Sequence, residues 1–164
     1  MNECKKISFL AMCSCASLMF AYVETLLPPP ILSVPGIKPG LANIMSVFVL
    51  YKYGVKSSVS VSFVRIMLSA LLFGGIWSLP YGVLGAAMSI FVMSVMKKTE
   101  AFSPVGVSIS GGIAHNVGQI IFAMISLNTA GIAFSIPLLV LAGTLTGALV
   151  GTVSSVMIKH LEKV

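Results

Sequence analysis

The chain contains no aspartate, and four glutamates (Glu3, Glu24, Glu100 and Glu162) are its only acids among 164 residues. They are widely separated, so one chain offers no carboxylate pair for acid–base work and no two-metal site. All charged residues together make up 9% of the chain, where soluble domains carry about a quarter. Cys4, Cys13 and Cys15 are too few and too close to the first apolar run for a disulfide framework. Cys13-x-Cys15 also lacks the second ligand pair that zinc requires, so these read as small packing residues. No Gly-x-x-x-x-Gly-Lys-Ser/Thr loop is present to cradle ATP phosphates, and no Gly-x-Ser-x-Gly elbow to present a serine nucleophile.

What fills the chain instead is apolar. Hydrophobic residues make up 57%, and the mean hydropathy is +1.06. That composition predicts an integral membrane protein. About 20 apolar residues cross a bilayer, so the length allows six spans with short loops and no separate soluble domain. The expected fold is a single all-α membrane domain over 1–164, a compact bundle of six helices. The spans fall at about 7–27, 41–53, 57–76, 79–96, 104–127 and 132–158, with an irregular apolar connection at 28–40 that holds five of the eight prolines. Lys5 and Lys6 before the first span resemble a signal-peptide start, but no small-x-small cleavage site follows, so it reads as a retained helix.

The basic residues give an orientation. With six spans, Lys5, Lys6, Lys52, Lys56, Lys97, Lys98, Lys159 and Lys163 share one side, Lys38 alone falls opposite, and Arg65 lies within a span. The positive-inside rule then places both termini in the cytoplasm and the proline-rich connection outside. Lysines in short juxtamembrane loops face lipid headgroups, which excludes a nucleic-acid surface.

Small residues mark the expected close contacts. Gly143, Gly147 and Gly151 step by four along the sixth span and predict one very tight helix neighbour. In the first span Ala11 and Cys15, and separately Cys13, Ser17 and Ala21, recur at the same spacing.

Polar groups inside apolar spans carry the functional argument, because they are costly there and normally face a bundle interior or a wet cavity. His115, Asn116 and Gln119 follow Gly111, Gly112 and Ala114 and fall on one side of the fifth span. Two readings stay open for them: hydrogen bonds between helices, or contact with a substrate. Ser58, Ser62, Arg65 and Ser69 form a polar stripe on the third span. The Arg65 guanidinium keeps its proton, so it needs an anionic ligand, helix-end carbonyls or water. Counting rise per residue from the inner ends puts Arg65 roughly 12 Å deep and Glu24 roughly 26 Å deep, a gap of about 14 Å that disfavours a direct ion pair. His115 is expected close to the depth of Arg65 and neutral, since two cations there would repel. Glu24, Lys38 and Asn43 belong to the outer side, where they would form a pocket mouth.

Three segments carry a family resemblance: Pro35-Gly36-Ile37-Lys38-Pro39-Gly40-Leu41-Ala42-Asn43; Arg65 with Leu68-Ser69-Ala70-Leu71-Leu72-Phe73-Gly74; and Ala114-His115-Asn116-Val117-Gly118-Gln119. They resemble the Gx transporter family, often labelled heptaprenyl diphosphate synthase component I. That family is similar in turn to the substrate-binding S components of energy-coupling factor (ECF) transporters. The resemblance implies a six-helix, multi-pass protein of the bacterial cell membrane that is not an enzyme and uses no cofactor or metal. It would capture a small anionic or carbonyl-bearing substrate from outside, and a membrane coupling subunit and two ATPases on separate chains would drive release. The substrate would meet Arg65, His115, Asn116, Gln119, Asn43, Lys38 and Glu24. The small residues Ala11, Cys15, Cys13, Ser17 and Ala21 would stand where the S components have an Ala-xxx-Ala docking pattern. The synthase label points to a second reading, a membrane accessory of isoprenoid or quinone metabolism that is inactive alone. Prenyl transferases of the usual kind hold magnesium diphosphate with clustered aspartates, which this chain does not have.

Overall fold

A computed structural model describes residues 3–26 and 40–161 of the chain. The described residues form six helices: α1 (Glu3–Leu26), α2 (Asn43–Tyr53), α3 (Val55–Ser69), α4 (Ser78–Lys98), α5 (Pro104–Leu127) and α6 (Ile136–Leu161). No strand occurs among them. Five helical stretches are long and apolar enough to cross a membrane; α2 is the exception. Outward faces carry large apolar side chains such as Met12, Met19, Phe63, Leu72, Phe91, Ile125 and Leu145. In water such a surface would aggregate, whereas lipid tails accommodate it.

The ends of the elements follow from local chemistry. Helix α5 opens with Pro104 in its first turn, where a missing N–H costs nothing, and the Ser103 hydroxyl accepts from the Gly106 N–H. Asn128 closes it in the left-handed conformation (φ 47°). The last span begins differently from the pattern at 132. A 3₁₀ turn covers Ala130–Ser135, and the α-helix starts at Ile136, so Pro137 falls in a first turn and interrupts no ladder. The third span is also not one regular helix. After Ser69 it loosens into a π turn over Ala70–Gly74 and stops at Gly75, whose φ of 70° suits glycine.

Helix α2 is the centre of the bundle. It has 11 residues, about 16 Å of helix, which is half the thickness of a bilayer core. Every side chain from Asn43 to Leu50 is buried, and Val47, Phe48, Val49 and Leu50 head the main apolar core. Three neighbours hold its backbone by serine hydroxyls. Ser17 of α1 donates to the Ala42 carbonyl (2.7 Å), Ser154 of α6 to Ile44 (3.0 Å) and Ser58 of α3 to Ser46 (2.8 Å). The Ser46 and Ser62 hydroxyls also meet at 2.7 Å. At the other end Lys97 Nζ donates to the carbonyls of Leu50 and Tyr51 (2.8 and 3.4 Å), placing a cation on the negative end of the helix dipole. The polar stripe Ser58–Ser62–Arg65 therefore faces α2.

The glycine ladder of α6 finds its tight neighbour in α5. A Cβ on Gly143 would lie 2.9 Å from the Gly112 carbonyl oxygen, and one on Gly147 would lie 2.7 Å from the Ile109 Cα. Helix α4 crosses α5 on its other side at Gly85 and Gly118, where a Cβ on Gly118 would lie 2.8 Å from the Leu84 carbonyl.

The two small-residue runs of α1 separate. Cys13, Ser17 and Ala21 are buried in the bundle, which takes them out of any outward docking surface, while Ala11 and Cys15 remain on the exposed face with Cys4. Thiol labelling with a lipid-soluble maleimide checks this register: Cys4 and Cys15 should modify quickly, and Cys13 only after denaturation. Equal rates for Cys13 and Cys15 would mean that α1 is rotated.

Candidate functional site

The site lies where α2 begins. Gly40 precedes the helix with φ 93°, a conformation open to glycine, and its carbonyl accepts the Asn43 N–H at 2.9 Å. A Cβ here would also approach Asn43 Nδ2 to 3.2 Å. The next turn is clamped to α1 at both polar groups of Ala42. Its N–H donates to Glu24 Oε1 (3.1 Å), while its carbonyl takes the Ser17 hydroxyl. The start of α2, with the positive end of its dipole, is thereby fixed about halfway through the bundle.

Arg65 approaches the same place from α3 and is 7% exposed. Its Nη2 makes a long contact of 3.5 Å to Asn43 Oδ1, and its Nε has no hydrogen-bond partner. Glu24 is the opposite charge that bears on it. Both line one cavity of about 30 Å³, together with Gly40, His115, Gln119 and Ser69. The depth count kept Glu24 and Arg65 about 14 Å apart; the structure corrects this. Helix α1 starts at Glu3, well before α3, and it is Phe9 that lies level with Tyr53, at the lysine end, with ring centroids 5.5 Å apart. From that level Glu24, fifteen residues along α1, lies about 22 Å up and Arg65, ten residues into α3, about 15 Å, a gap of about half the earlier count that a long arginine side chain reaches across.

Helix α5 contributes His115 and Gln119, one turn apart and buried. His115 is wedged between α2's entry and α4. Its Nδ1 faces the Gly85 backbone without a hydrogen bond of ordinary geometry, and a Cβ on Gly85 would lie 3.0 Å from that atom and 2.9 Å from Cε1. Gln119 Oε1 is likewise unpartnered. On its other side His115 borders a second space of about 10 Å³ shared with Gly40, Asn43, Ser89 and Ser108, whose hydroxyl has no partner.

Asn116 separates from this pair. One residue turns a helix by about 100°, so Asn116 points to α6, where Nδ2 donates to the Leu139 carbonyl at 2.9 Å. The helix-bonding reading holds for Asn116, and the cavity belongs to its two neighbours. Lys38 and the rest of the proline-rich connection before Gly40 lie outside the described residues. Ser78 lines the site without any signal in the sequence, whereas Ser17 and Ser69 stood out there only as a packing residue and as part of a polar stripe, not as an anchor or a cavity wall. A serine in an apolar span looks the same whether it faces a backbone carbonyl or a cavity.

Chemically, the cavity gathers a guanidinium, an imidazole, a side-chain amide and a helix N-terminus around one carboxylate. Five buried polar atoms among the described residues, Arg65 Nε, His115 Nδ1, Gln119 Oε1, Ser108 Oγ and Asn116 Oδ1, lack partners, where native interiors pair nearly all such groups. The larger space admits one or two waters as it stands. Among the described residues no three His, Cys, Asp or Glu side chains come together. Glu24 and His115 would offer a metal two ligands.

The family model described as heptaprenyl diphosphate synthase component I matches residues 12–157. No protein of curated function and no solved structure matches the chain. The chain belongs to the heptaprenyl diphosphate synthase component I family, and the match takes in four helices whole and most of α1 and α6.

Helix packing around His115 gives a testable consequence. Gly85→Ala should destabilise the protein by about 1–3 kcal/mol through overpacking, read as a lower melting temperature in detergent. Gly106→Ala, where a Cβ meets only Phe102 and Ser103 atoms at 3.7–3.8 Å, should leave it unchanged. His115→Ala should recover much of the Gly85→Ala loss; no recovery would mean that Gly85 makes no close contact with the imidazole.

Proposed function

We propose that this member of the family is a multi-pass membrane subunit that binds a small ligand between α1, α2, α3 and α5 and hands it to partner chains. The observation that carries this reading is the shared cavity. Arg65, Glu24, His115 and Gln119 come from three helices to one buried space, yet several of their polar atoms have no protein partner. Polar groups held at that depth without partners suit a site awaiting a guest better than a set of helix-to-helix bonds.

The donors favour a ligand with an anionic or carbonyl edge. The Arg65 guanidinium, the Gln119 amide and the positive end of α2 all attract such a group, in the manner of broken helices at transporter midplanes. Glu24 would receive a donor from the same ligand. The present cavity, about 30 Å³, has room for water and nothing larger, so ligand entry requires its walls to part. In this reading the lysine-rich ends face the cytoplasm, both termini included, and the site is reached from the far side. Release would be driven by a membrane coupling subunit and two ATPases, as the resemblance to ECF S components implies, with the exposed Ala11–Cys15 face of α1 as the small-residue surface for docking.

The family's description favours a second reading: a membrane accessory of isoprenoid or quinone metabolism. With no aspartate, the chain would need partner chains for diphosphate chemistry.

Native mass spectrometry of gently extracted protein separates the two. The transporter reading expects a small non-lipid mass retained by the wild type and lost in Arg65→Ala, with both proteins folded, and ATPase subunits co-purifying. Equal retention by Arg65→Ala would remove Arg65 from the site. Turnover of a prenyl diphosphate with magnesium by the extracted assembly, with no retained ligand, would favour the second reading.

A further inference from the structure

A wide apolar groove lies away from the polar cavity, between α3 and α4. Its volume is about 370 Å³, and its walls include Val59, Phe63, Val83, Ala87 and Phe91, with Ser94 towards the lysine end. This volume lies within the range of small-molecule sites, roughly 300–1,000 Å³. Phe63 and Phe91 are exposed rims, 55% and 66% accessible, so the groove opens sideways and not towards the bundle interior. From Val83 to Ser94 it runs about 16 Å along α4, which is half a bilayer core and therefore the depth of one leaflet.

Two cations stand at its lysine end. Lys56 is in the first turn of α3, beside the groove residue Val55, and Lys98 follows Ser94 by one turn on the same face of α4. Both are exposed. Neither ammonium makes a hydrogen bond, ion pair or ring contact among the described residues. Their neighbours Lys52 and Lys97 are engaged: Lys52 lies over Phe9 and Phe48, and Lys97 bonds the end of α2. The acid nearest in sequence, Glu100, lies beyond the end of α4.

We propose that the α3–α4 groove is a binding site for an anionic phospholipid of the leaflet at the lysine end, its acyl chain between the helices and its headgroup phosphate on Lys56 and Lys98. One-leaflet length, a sideways opening and a pair of unengaged cations at the headgroup level together select a lipid of that leaflet. A second protein helix would span the whole thickness and would gain nothing from cations at one end only. This inference rests on the membrane reading and is independent of the ligand in the polar cavity.

The test uses the full chain with Trp77→Phe and Phe91→Trp, which leaves one tryptophan on the groove rim. It is reconstituted in phosphatidylcholine vesicles containing a minor fraction of tail-brominated phosphatidylglycerol or, separately, tail-brominated phosphatidylcholine. Phosphatidylglycerol should quench at lower mole fraction, with a preference of about fivefold for each lysine, and Lys56→Gln with Lys98→Gln should abolish the difference. Equal quenching by the two lipids, or a preference that survives the double substitution, would overturn the proposal. A preference that disappears as the protein-to-lipid ratio rises would show a second copy of the chain in the groove and would overturn it as well. Protein that fails to float with the vesicles would refute the membrane reading and this inference with it.

Discussion

The structure depends on how α2 is held. A helix of 11 residues cannot cross a bilayer, so its first turn has to begin inside the bundle, where water is not at hand to satisfy backbone groups. Ser17, Ser58 and Ser154 answer this from three directions, each with one hydroxyl on one carbonyl of the segment 42–46. Glu24 takes the Ala42 N–H, and Lys97 covers the carbonyls at the other end. A hydroxyl reaches a carbonyl only at close helix spacing, which explains why small residues line the buried face of α1. The same constraint puts the positive end of a helix dipole beside Arg65, His115 and Gln119.

That arrangement explains why the polar cavity is possible at all. Arg65 is too expensive to bury alone, and Glu24 offsets its charge across the cavity. Glu24 in turn is fixed by its bond to Ala42, so the opposite charge facing Arg65 and the start of α2 are parts of one device. The cost of burying these groups does not produce a well-bonded network, however, because Arg65 Nε, His115 Nδ1 and Gln119 Oε1 are left without partners. Such a half-satisfied set weakens a fold, and a site that needs to receive a ligand gives a reason for it.

Helices were largely legible in the sequence because apolar length and proline or glycine punctuation are local signals. The fifth span, bounded by Pro104 and Asn128, has the same limits in both readings. The ladder Gly143–Gly147–Gly151 announced a close neighbour, but that the neighbour is α5 is set by tertiary packing and has no local signal. Depth was not legible, because counting residues assumes that all helices start at one level. Helix α1 starts earlier than α3, and this offset hid the meeting of Glu24 with Arg65. Direction was also lost where two polar residues are adjacent: His115 and Asn116 looked like one cluster, yet one faces the cavity and the other bonds α6.

The central claim, that the charged pair exists for a guest and not for the fold, is tested most directly by replacing it with the combination Glu24→Gln and Arg65→Met. Glutamine preserves an acceptor for the Ala42 N–H, and methionine fills much of the arginine's volume. Unfolding in detergent, read together with mass spectrometry for retained ligand, should show stability equal to or above the wild type and complete loss of the ligand. A fall in stability of more than about 3 kcal/mol with ligand retention unchanged would contradict the account.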